Sequence, residues 1–320
     1  MSLNCEILPE INKYYSKEKS LWKDIKRYKF IYFLVAPAVI ITFVFAYIPM
    51  LGLIMAFEKF DIFKGFFGSP FVGFDNFKML FDSPQLANAV FNTLLYGAVI
   101  LFGCFPFPIL LALLFNELKD NFLKRFTQTI SYLPYFLSWI SVVALLLNFF
   151  SLDGTFNDIR KLILGSEIEG FNPLMDADYF LPLLFISHLW KNIGWASVIF
   201  LAAISGIDSQ LYEASTMDGC TRFQQIIYIT LPGIMPTALI ILILSSGMLV
   251  TSNFEQVFGL QNLYTLERTD IIGTIVYRKG ILSGEYSMAT AFGLAQGLCS
   301  FIIVLVSNKI TSKFSGQSIL

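Results

Sequence analysis

A polar stripe runs through one of the most apolar parts of the sequence. Residues 179–207 carry no Asp, Glu, Lys or Arg except Lys191, and His188, Asn192 and Trp195 stand around it at helical spacing. Residues at i, i+3, i+4 and i+7 share one face of a helix. A Trp ring can stack on the C–H surface of a sugar, while amide and ammonium groups bind its oxygens. The stripe predicts a sugar pathway; a polar contact between helices, or a lysine that reaches the interface, is the structural alternative.

A second polar group follows at the outer end of another apolar run. Ser252, Asn253 and Gln256 lie close together in the sequence, and we predict that Asn253 and Gln256 belong to the same substrate pathway. A charge inside the membrane is costly and usually functional. Lys191 therefore suggests a cargo that carries carboxylates, as uronate oligomers do, whereas the acidic connection 153–178 argues mildly for a neutral one.

The residue inventory excludes several kinds of chemistry. The chain has one histidine and four cysteines, none paired at metal-ligand spacing, so we predict no metal site and no cofactor. It has no Gly-x-x-x-x-Gly-Lys-Ser/Thr phosphate loop, so ATP hydrolysis would belong to another subunit. Because acidic residues are confined to the connections, a membrane enzyme would lack paired carboxylates or a nucleophile and base at membrane depth. The net charge of −1 argues against nucleic acid as a partner.

The charge distribution predicts the fold class. Only 14% of residues are charged, against about a quarter in soluble domains. A run of about 20 apolar residues crosses the hydrocarbon core of a bilayer, and the sequence offers several. We predict an all-α integral membrane protein in the cell (plasma or inner) membrane, with a polar leader, 1–29, and a transmembrane domain, 30–320. Pro106 and Pro108 are predicted to interrupt the second span and Pro134 the third. About six transmembrane helices are expected, near residues 31–55, 90–114, 127–150, 180–204, 233–253 and 286–308.

Lysine and arginine predict the orientation, because they accumulate on the cytoplasmic side. The leader holds seven of them and the connection 117–125 holds three, whereas the connection 153–178 has six acidic residues and two basic ones. This pattern places both termini in the cytoplasm. The segments 58–87, 153–178 and 254–285 then face outward. The first of these is rich in phenylalanine, which predicts either an interfacial belt or a docking surface for an external partner.

The cytoplasmic segment 208–232 predicts a helix, a turn and a second helix. Asp208 can cap the first helix, Gly219 can end it in a left-handed conformation, and Thr221 with Gln224 forms a capping box for the second. Helices of about ten residues are unstable alone, so we predict a cytoplasmic partner against which they pack. We also expect an apolar face on the second helix and an end at the prolines that begin the next span; these residues are Phe223, Ile226 and Ile227 for the face, and Pro232 and Pro236 for the end.

This segment resembles the Glu-Ala-Ala coupling motif of the permease subunits of ATP-binding cassette importers. The motif reads Glu-Ala-Ala, three residues, Gly, nine residues, Ile-x-Leu-Pro. The sequence departs from it at Ser215 and Cys220, where the family usually has alanine, but both replacements are small. The other motif residues keep the family's spacing, and the resemblance implies that they couple the chain to the ATPase: Glu213, Ala214, Asp218, Gly219, Ile229, Leu231 and Pro232.

The resemblance covers most of the chain, from about Lys29 to the end. It implies the type I importer permease fold and ATP-driven import of oligosaccharides. The implied partners are a second permease subunit in a heterodimer, a cytoplasmic ATPase dimer and an extracytoplasmic solute-binding protein. Segments 74–77 and 92–94 look like those that lead into the family's second span, and the branch that imports complex oligosaccharides, including pectin-derived ones, is similar at 190–195, 201–204 and 253–256.

Other functions remain as alternatives. A permease of the same importer type for a different solute is the nearest, because the coupling motif reports on the ATPase and not on the cargo. A stand-alone channel, a secondary transporter and a membrane enzyme are the more distant ones. A channel or a secondary transporter would give the coupling segment no purpose, and a membrane enzyme would lack the catalytic residues named above.

Overall fold

The computed structural model describes the chain over residues 26–82, 84–119, 121–165, 168–251 and 253–315. Most of the predicted leader, residues 1–25, and Ser252 of the second polar group lie outside the described residues. Within the described ranges the structure is largely helical and contains no β-strand beyond one isolated antiparallel bridge, between Glu58 and Phe71.

The chain divides into two compact units, Met1–Ile54 and Met55–Leu320. The described part of the first unit lies mostly in helix α1 (Lys29–Phe57), whose 29 residues are apolar enough to cross a membrane. No residue of its first segment, Lys29–Thr42, is buried. Such exposure of apolar side chains is stable where lipid is the solvent.

The second unit contains the remaining helices, with a 3₁₀ turn at Pro173–Met175 and a π segment at Tyr277–Leu282. In chain order they are α2 (Gly65–Gly68), α3 (Asp75–Asp82), α4 (Gln85–Glu117), α5 (Asn121–Phe136), α6 (Trp139–Phe149), α7 (Thr155–Leu164), α8 (Ala177–Ser205), α9 (Ser209–Met217), α10 (Arg222–Ser246), α11 (Phe254–Leu260), α12 (Leu266–Thr269), α13 (Ile272–Val276) and α14 (Tyr286–Ser315).

Among the described residues, five helices are long and apolar enough to cross a membrane: α1, α4, α8, α10 and α14. The pair α5 and α6 adds a sixth if it counts as one span, bent by 99° at a short break. Pro134 lies in a 3₁₀ turn, Leu133–Phe136, at the end of α5. The prediction of about six spans is therefore confirmed, and Pro134 interrupts the third span as expected.

Two other prolines behave differently from the prediction. Helix α4 continues past Pro106 and Pro108, although an interruption was expected there. A π-helical segment, Val99–Cys104, ends two residues before Pro106. Proline lacks an N–H, and its ring clashes with the carbonyl four residues earlier. The wider π turn contains that carbonyl and accommodates the ring without breaking the helix.

Helix α10 shows the same arrangement and corrects the predicted bounds of the fifth span. It runs without a break from Arg222 through Pro232 and Pro236 to Ser246, and its π segment, Ile226–Thr230, ends two residues before Pro232. The prediction that these prolines end a separate short helix is wrong. The second helix of the coupling segment and the fifth span are one helix, which also ends earlier than the predicted residue 253.

Helix α4 connects three buried clusters of the second unit. Its first turns pack with α13 and α14, its middle packs with α6, α8 and α11, and its last turns pack with α8 and α10. Buried apolar contacts of this kind hold helices together at fixed angles. Helix α4 contributes Leu86 and Ala89 to the first cluster, Tyr96 to the second, and Ala112 and Leu113 to the third.

Candidate functional site

The coupling segment begins with the capped helix that the sequence predicts. The side chain of Asp208 accepts a hydrogen bond from the Gln210 backbone N–H at 2.9 Å, and α9 follows. The carboxylate lies at the helix N-terminus, where the helix dipole favours negative charge.

Gly219 ends α9 in a Schellman motif. Its φ is +79°, its N–H donates to the Thr216 carbonyl at 3.1 Å, and the Cys220 N–H donates to the Ser215 carbonyl at 2.9 Å. These are the two closing bonds of that motif, which favours glycine at the left-handed position. The capping box then starts the next helix: Thr221 N–H donates to Gln224 Oε1 at 2.7 Å, and Gln224 N–H donates to Thr221 Oγ1 at 3.4 Å.

The start of α10 packs on α9 through a polar side chain, that of Gln225. Phe223 is 70% exposed and Ile227 is also exposed, whereas Gln225 is buried. Gln225 Nε2 donates to Ser215 Oγ at 2.9 Å and to Thr216 Oγ1 at 3.0 Å. The contact with α9 is therefore polar. Ile226 packs instead against the buried cluster that α4, α8 and α10 share, and the apolar face of Phe223, Ile226 and Ile227 stays a prediction.

A second hydrogen bond ties the two helices together. The Tyr212 hydroxyl on α9 lies 2.9 Å from Thr230 Oγ1, in the π segment of α10. Thr230 follows Gln225 by about one turn of α10, so α10 is held to α9 at two levels. These contacts connect α9 directly to the first turns of α10.

The motif residues divide between an exposed group and a packed group. Glu213, Ala214 and Asp218 are exposed, and Met217 beside them is 88% exposed. Leu231 packs against the buried cluster that α4, α8 and α10 share, and Ile229 is half-buried. Pro232 is exposed. The segment thus offers one surface outward and anchors the other in the transmembrane helices.

A cavity of about 240 Å³ lies among the transmembrane helices of the second unit. Helices α4, α8 and α10 supply most of its lining, which is mainly apolar. His188, Asn192 and Asn253, three of the predicted pathway residues, face it together with Ser245. At Gly97, a Cβ would lie 1.9 Å from the Leu249 carbonyl oxygen, so only glycine allows this approach of α4 to the chain after α10.

Lys191 does not line this cavity. It is 7% exposed, and its Nζ donates to the Tyr135 carbonyl at 2.9 Å, at the break between α5 and α6. The ammonium also lies 5.1 Å from the Tyr135 ring centroid and 5.4 Å from that of Trp139. Two aromatic faces and a carbonyl at a helix C-terminus are favourable partners for a cation. Lys191 therefore makes a polar contact between helices, which is the structural alternative to a place on the sugar pathway.

Trp195 lies on the same side of α8 as Lys191. Its ring stacks on Tyr135, with centroids 4.8 Å apart and an interplanar angle of 9°. Gly194 makes this approach possible, because a Cβ there would lie 2.0 Å from the Ser131 carbonyl oxygen of α5. The predicted single stripe therefore divides: His188 and Asn192 face the cavity, and Lys191 and Trp195 face the broken span.

Gln256 is buried completely and lies between helices rather than on the cavity wall. Its Nε2 donates to the Leu184 carbonyl and to Ser187 Oγ, both at 2.8 Å. Asn253, just before α11, has a φ of +76°, the one positive φ of a non-glycine residue in the described chain. Asparagine tolerates this conformation better than most residues.

Sequence reasoning missed two residues that make the contacts described above. Tyr135 was not singled out, although Pro134 marked a helix break, and a break leaves carbonyl groups that need donors. Gln225 was not singled out either, although Ser215 and Thr216 on α9 both need hydrogen-bond partners if they are covered. In both cases the sequence does not show which polar groups on different helices pair with each other.

Comparison with known proteins identifies relatives that belong to transport systems. The family described as binding-protein-dependent transport system inner membrane component matches residues 104–312. Protein LplB of Bacillus subtilis is 38% identical over 295 residues, which cover 92% of each chain. The polygalacturonan/rhamnogalacturonan transport system permease protein YteP of the same organism is 37% identical over 303 residues, which cover 95% of this chain and 94% of YteP.

A solved structure has the same fold. It is a chain in the crystal structure of a bacterial ABC transporter involved in the import of the acidic polysaccharide alginate, with a TM-score of 0.85 and 36% identity. The match covers 93% of this chain and 100% of that one. The family match spans more than half of the sequence, and the relatives align over nearly all of it. The chain therefore belongs to the family of binding-protein-dependent transport system inner membrane components, the permease subunits of ATP-binding cassette importers.

Proposed function

We propose that this chain translocates oligosaccharides, acidic ones among them, across the cell membrane after an extracytoplasmic binding protein delivers them. One observation carries the proposal: the chain matches the permease of an alginate importer over 93% of its length, at 36% identity. That transporter has also been crystallised with a periplasmic protein that holds an alginate pentasaccharide. The 37% identity with the polygalacturonan/rhamnogalacturonan permease YteP points to the same cargo class, because polygalacturonan is also a uronate polymer.

The energy for import comes from a separate ATPase dimer in this proposal. The sequence has no phosphate-binding loop, so this subunit lacks the backbone cradle that ATP hydrolysis needs. The coupling segment supports contact with such a partner, because Glu213, Asp218 and Met217 form an exposed surface on α9. A second permease subunit completes the membrane-spanning part.

The cavity among α4, α8 and α10 is our candidate for this subunit's share of the pathway. His188, Asn192 and Asn253 supply hydrogen-bonding groups on an otherwise apolar wall. No lysine or arginine of the described chain lines it. This subunit would therefore bind sugar hydroxyls through neutral groups. Positive charge for an acidic cargo would come from the partner permease or the binding protein.

Uptake by the reconstituted complex tests the proposal. Proteoliposomes that contain both permeases and the ATPase, with binding protein outside, should take up trigalacturonate only when ATP is inside. Maltotriose, a neutral sugar of equal length, is the matched control, and we expect it to be taken up more slowly. A complex whose ATPase responds to its binding protein but which moves neither sugar would favour the alternative, a permease for a different solute.

A further inference from the structure

The starting point is a glutamine whose orientation is fixed. Gln256 is wholly buried, and one end of its amide faces the Leu184 carbonyl and Ser187 Oγ, both at 2.8 Å. A carbonyl oxygen only accepts hydrogen bonds, so the atom that faces Leu184 O must be the amide nitrogen. The other end, Oε1, is then an acceptor, and it has no hydrogen-bond partner.

A complementary nitrogen lies nearby. His188 follows Leu184 by one helical turn, and its Nδ1 is also buried without a hydrogen bond. Gln256 bonds Leu184 and Ser187, which lie one turn before His188 and directly before it on α8, so its amide lies beside the His188 ring. Buried polar atoms that lack partners are rare in native proteins, and these two can satisfy each other. An Nδ1–H that donates to Gln256 Oε1 would satisfy both atoms.

We infer that Gln256 holds His188 as the neutral Nδ1–H tautomer, so that Nε2 accepts a hydrogen bond from a hydroxyl group of the cargo. The ring lines the cavity, and with Nδ1 turned to Gln256, Nε2 is the nitrogen that remains for it. In a neutral imidazole one nitrogen donates and the other accepts. The partner of one nitrogen therefore decides what the other offers to a ligand.

This assignment defines what His188 selects. A lone pair on Nε2 attracts a hydroxyl hydrogen and repels a carboxylate oxygen. His188 therefore reads a hydroxyl of the sugar, and carboxylates of an acidic cargo must point elsewhere at this level of the pathway. Trp139 stacks on the His188 ring with centroids 6.1 Å apart, which limits rotation of the ring. The inference rests on the proposed pathway, and Gln256 acts in it as a positioning residue.

The tautomer is measured directly by nitrogen NMR of the full complex, labelled with ¹⁵N-histidine. The chain has one histidine, so the signals of His188 are those that disappear in His188→Gln. We expect the pattern of an Nδ1–H imidazole in wild type. We expect a shift toward the Nε2–H form, which free imidazole side chains prefer, in Gln256→Met. An Nε2–H pattern or an imidazolium in wild type would overturn the inference, as would an unchanged pattern in Gln256→Met.

Uptake kinetics of trigalacturonate give the second readout. Gln256→Met should raise KM about fivefold to tenfold with little change in maximal rate, the effect of one neutral hydrogen bond. The matched control is Gln261→Met. That amide also donates two hydrogen bonds, to Thr269 Oγ1 and Asp270 Oδ1, and also leaves Oε1 unpaired, but it lies away from the cavity. We expect its KM to stay at the wild-type value, and an equal rise in both variants would mean a general structural effect.

Two further variants separate this inference from the proposed pathway. His188→Phe should raise KM, and His188→Gln should largely restore it because its amide reaches the position of Nε2. Normal KM in His188→Phe would remove His188 from the pathway and overturn the assigned role, whatever the NMR pattern. Absence of trigalacturonate uptake in the wild-type complex would instead contradict the proposed function, and the tautomer would still be decided by NMR.

Discussion

Lys191 illustrates how a single buried charge acquires a structural role. A lysine at membrane depth costs roughly 2.5–3.5 kcal/mol on insertion scales, so it must find compensating partners. Here the break between α5 and α6 supplies them, because the Tyr135 carbonyl accepts from Nζ at 2.9 Å and two aromatic rings face the ammonium. The break supplies an acceptor and two aromatic faces for the ammonium, and the ammonium supplies a donor for the Tyr135 carbonyl. We therefore propose that Lys191 holds the broken span in place.

Lys191→Met tests this role against charge recognition. The substitution leaves the Tyr135 carbonyl without its donor, which should destabilise the complex by about 1–3 kcal/mol. Uptake of trigalacturonate and maltotriose should fall by similar factors, because both depend on the position of α5 and α6. Thermal unfolding and uptake of the two sugars are the measurements, with Lys191→Arg as the control that keeps the cation. A selective loss of trigalacturonate uptake would show that Lys191 reads cargo charge.

Ser215 shows how a departure from a family motif can be compensated. The family usually has alanine at this position, and the serine hydroxyl here accepts from Gln225 Nε2 at 2.9 Å while donating to the Tyr212 carbonyl at 2.8 Å. Gln225 also bonds Thr216, so one amide connects two residues of α9 to α10. The serine and the glutamine form a pair that joins the coupling helix to the fifth span.

A double-mutant cycle of Ser215→Ala and Gln225→Leu measures this pair. Each single change should cost about 1 kcal/mol in stability, and the two together should cost less than their sum, because they share one hydrogen bond. Stimulation of the ATPase by loaded binding protein should weaken in the same non-additive way. Additive effects on both stability and stimulation would show that the two side chains act independently.

At the level of helices, the prolines mark where sequence rules succeed and where they fail. Three π segments, Phe43–Tyr47, Val99–Cys104 and Ile226–Thr230, each end two residues before a proline. The rule that proline breaks a helix predicts an interruption at each, yet the helices α1, α4 and α10 continue. A membrane-embedded helix cannot give up its backbone hydrogen bonds to water, so widening one turn costs less than breaking the helix.

The caps of the coupling segment were predictable because they depend on neighbours in sequence. Asp208, Gly219 and the Thr221–Gln224 box all occur as expected, since each bonds groups within five residues. The contacts of Gln225 join positions 9 and 10 residues apart across a turn, and the contact between Lys191 and Tyr135 spans 56 residues. Such contacts depend on the packing of whole helices, which one sequence does not specify.

Gly219→Val is the sharpest test of the coupling turn. No atom lies within 4 Å of a Cβ placed at Gly219, so the substitution acts through the backbone alone. A β-branched residue at φ +79° costs at least about 1 kcal/mol and should rotate α9 relative to α10. We expect the complex to assemble, but loaded binding protein should no longer stimulate ATP hydrolysis or uptake.

The control for this turn is Gly219→Asn at the same position. Asparagine adopts the left-handed conformation more readily, so it should retain most of the stimulation. Glu213→Ala should act in the same direction as Gly219→Val but more mildly, because it removes a polar contact and leaves the turn intact. ATPase activity with and without loaded binding protein measures all three variants. Normal stimulation and uptake in Gly219→Val would show that this segment does not couple the ATPase to the membrane.

For the whole molecule, the positions of charged residues predicted most of the architecture. The uncharged runs correspond to α1, α4, α8, α10, α14 and the bent pair α5 and α6. Span number could be predicted because each backbone polar group in lipid must be satisfied within a helix, which makes spans long and uniform. The bend of 99° and the cavity could not be predicted, because they arise where helices distant in sequence pack together, as at the close approaches of Gly97 and Gly194.

The orientation of the whole chain is the final prediction, and it follows from the basic residues of the leader and of the connection after α4. We propose that both termini are cytoplasmic, so α7 should be accessible from outside the cell. Leu164 at the end of α7 is 63% exposed and suits a labelling site. Gly165 beside it has a φ of +111°, where a cysteine would strain the backbone.

The experiment uses Leu164→Cys in a chain whose four native cysteines are replaced, with a membrane-impermeant maleimide added to intact cells. We expect labelling from outside, because the acidic connection 153–178 carries few of the basic residues that retain a segment in the cytoplasm. The matched control is Lys119→Cys, an exposed position in the connection after α4, which should react only in inverted vesicles. If Leu164→Cys reacts only in inverted vesicles and Lys119→Cys only in cells, the orientation is reversed, and α9 could not meet a cytoplasmic ATPase.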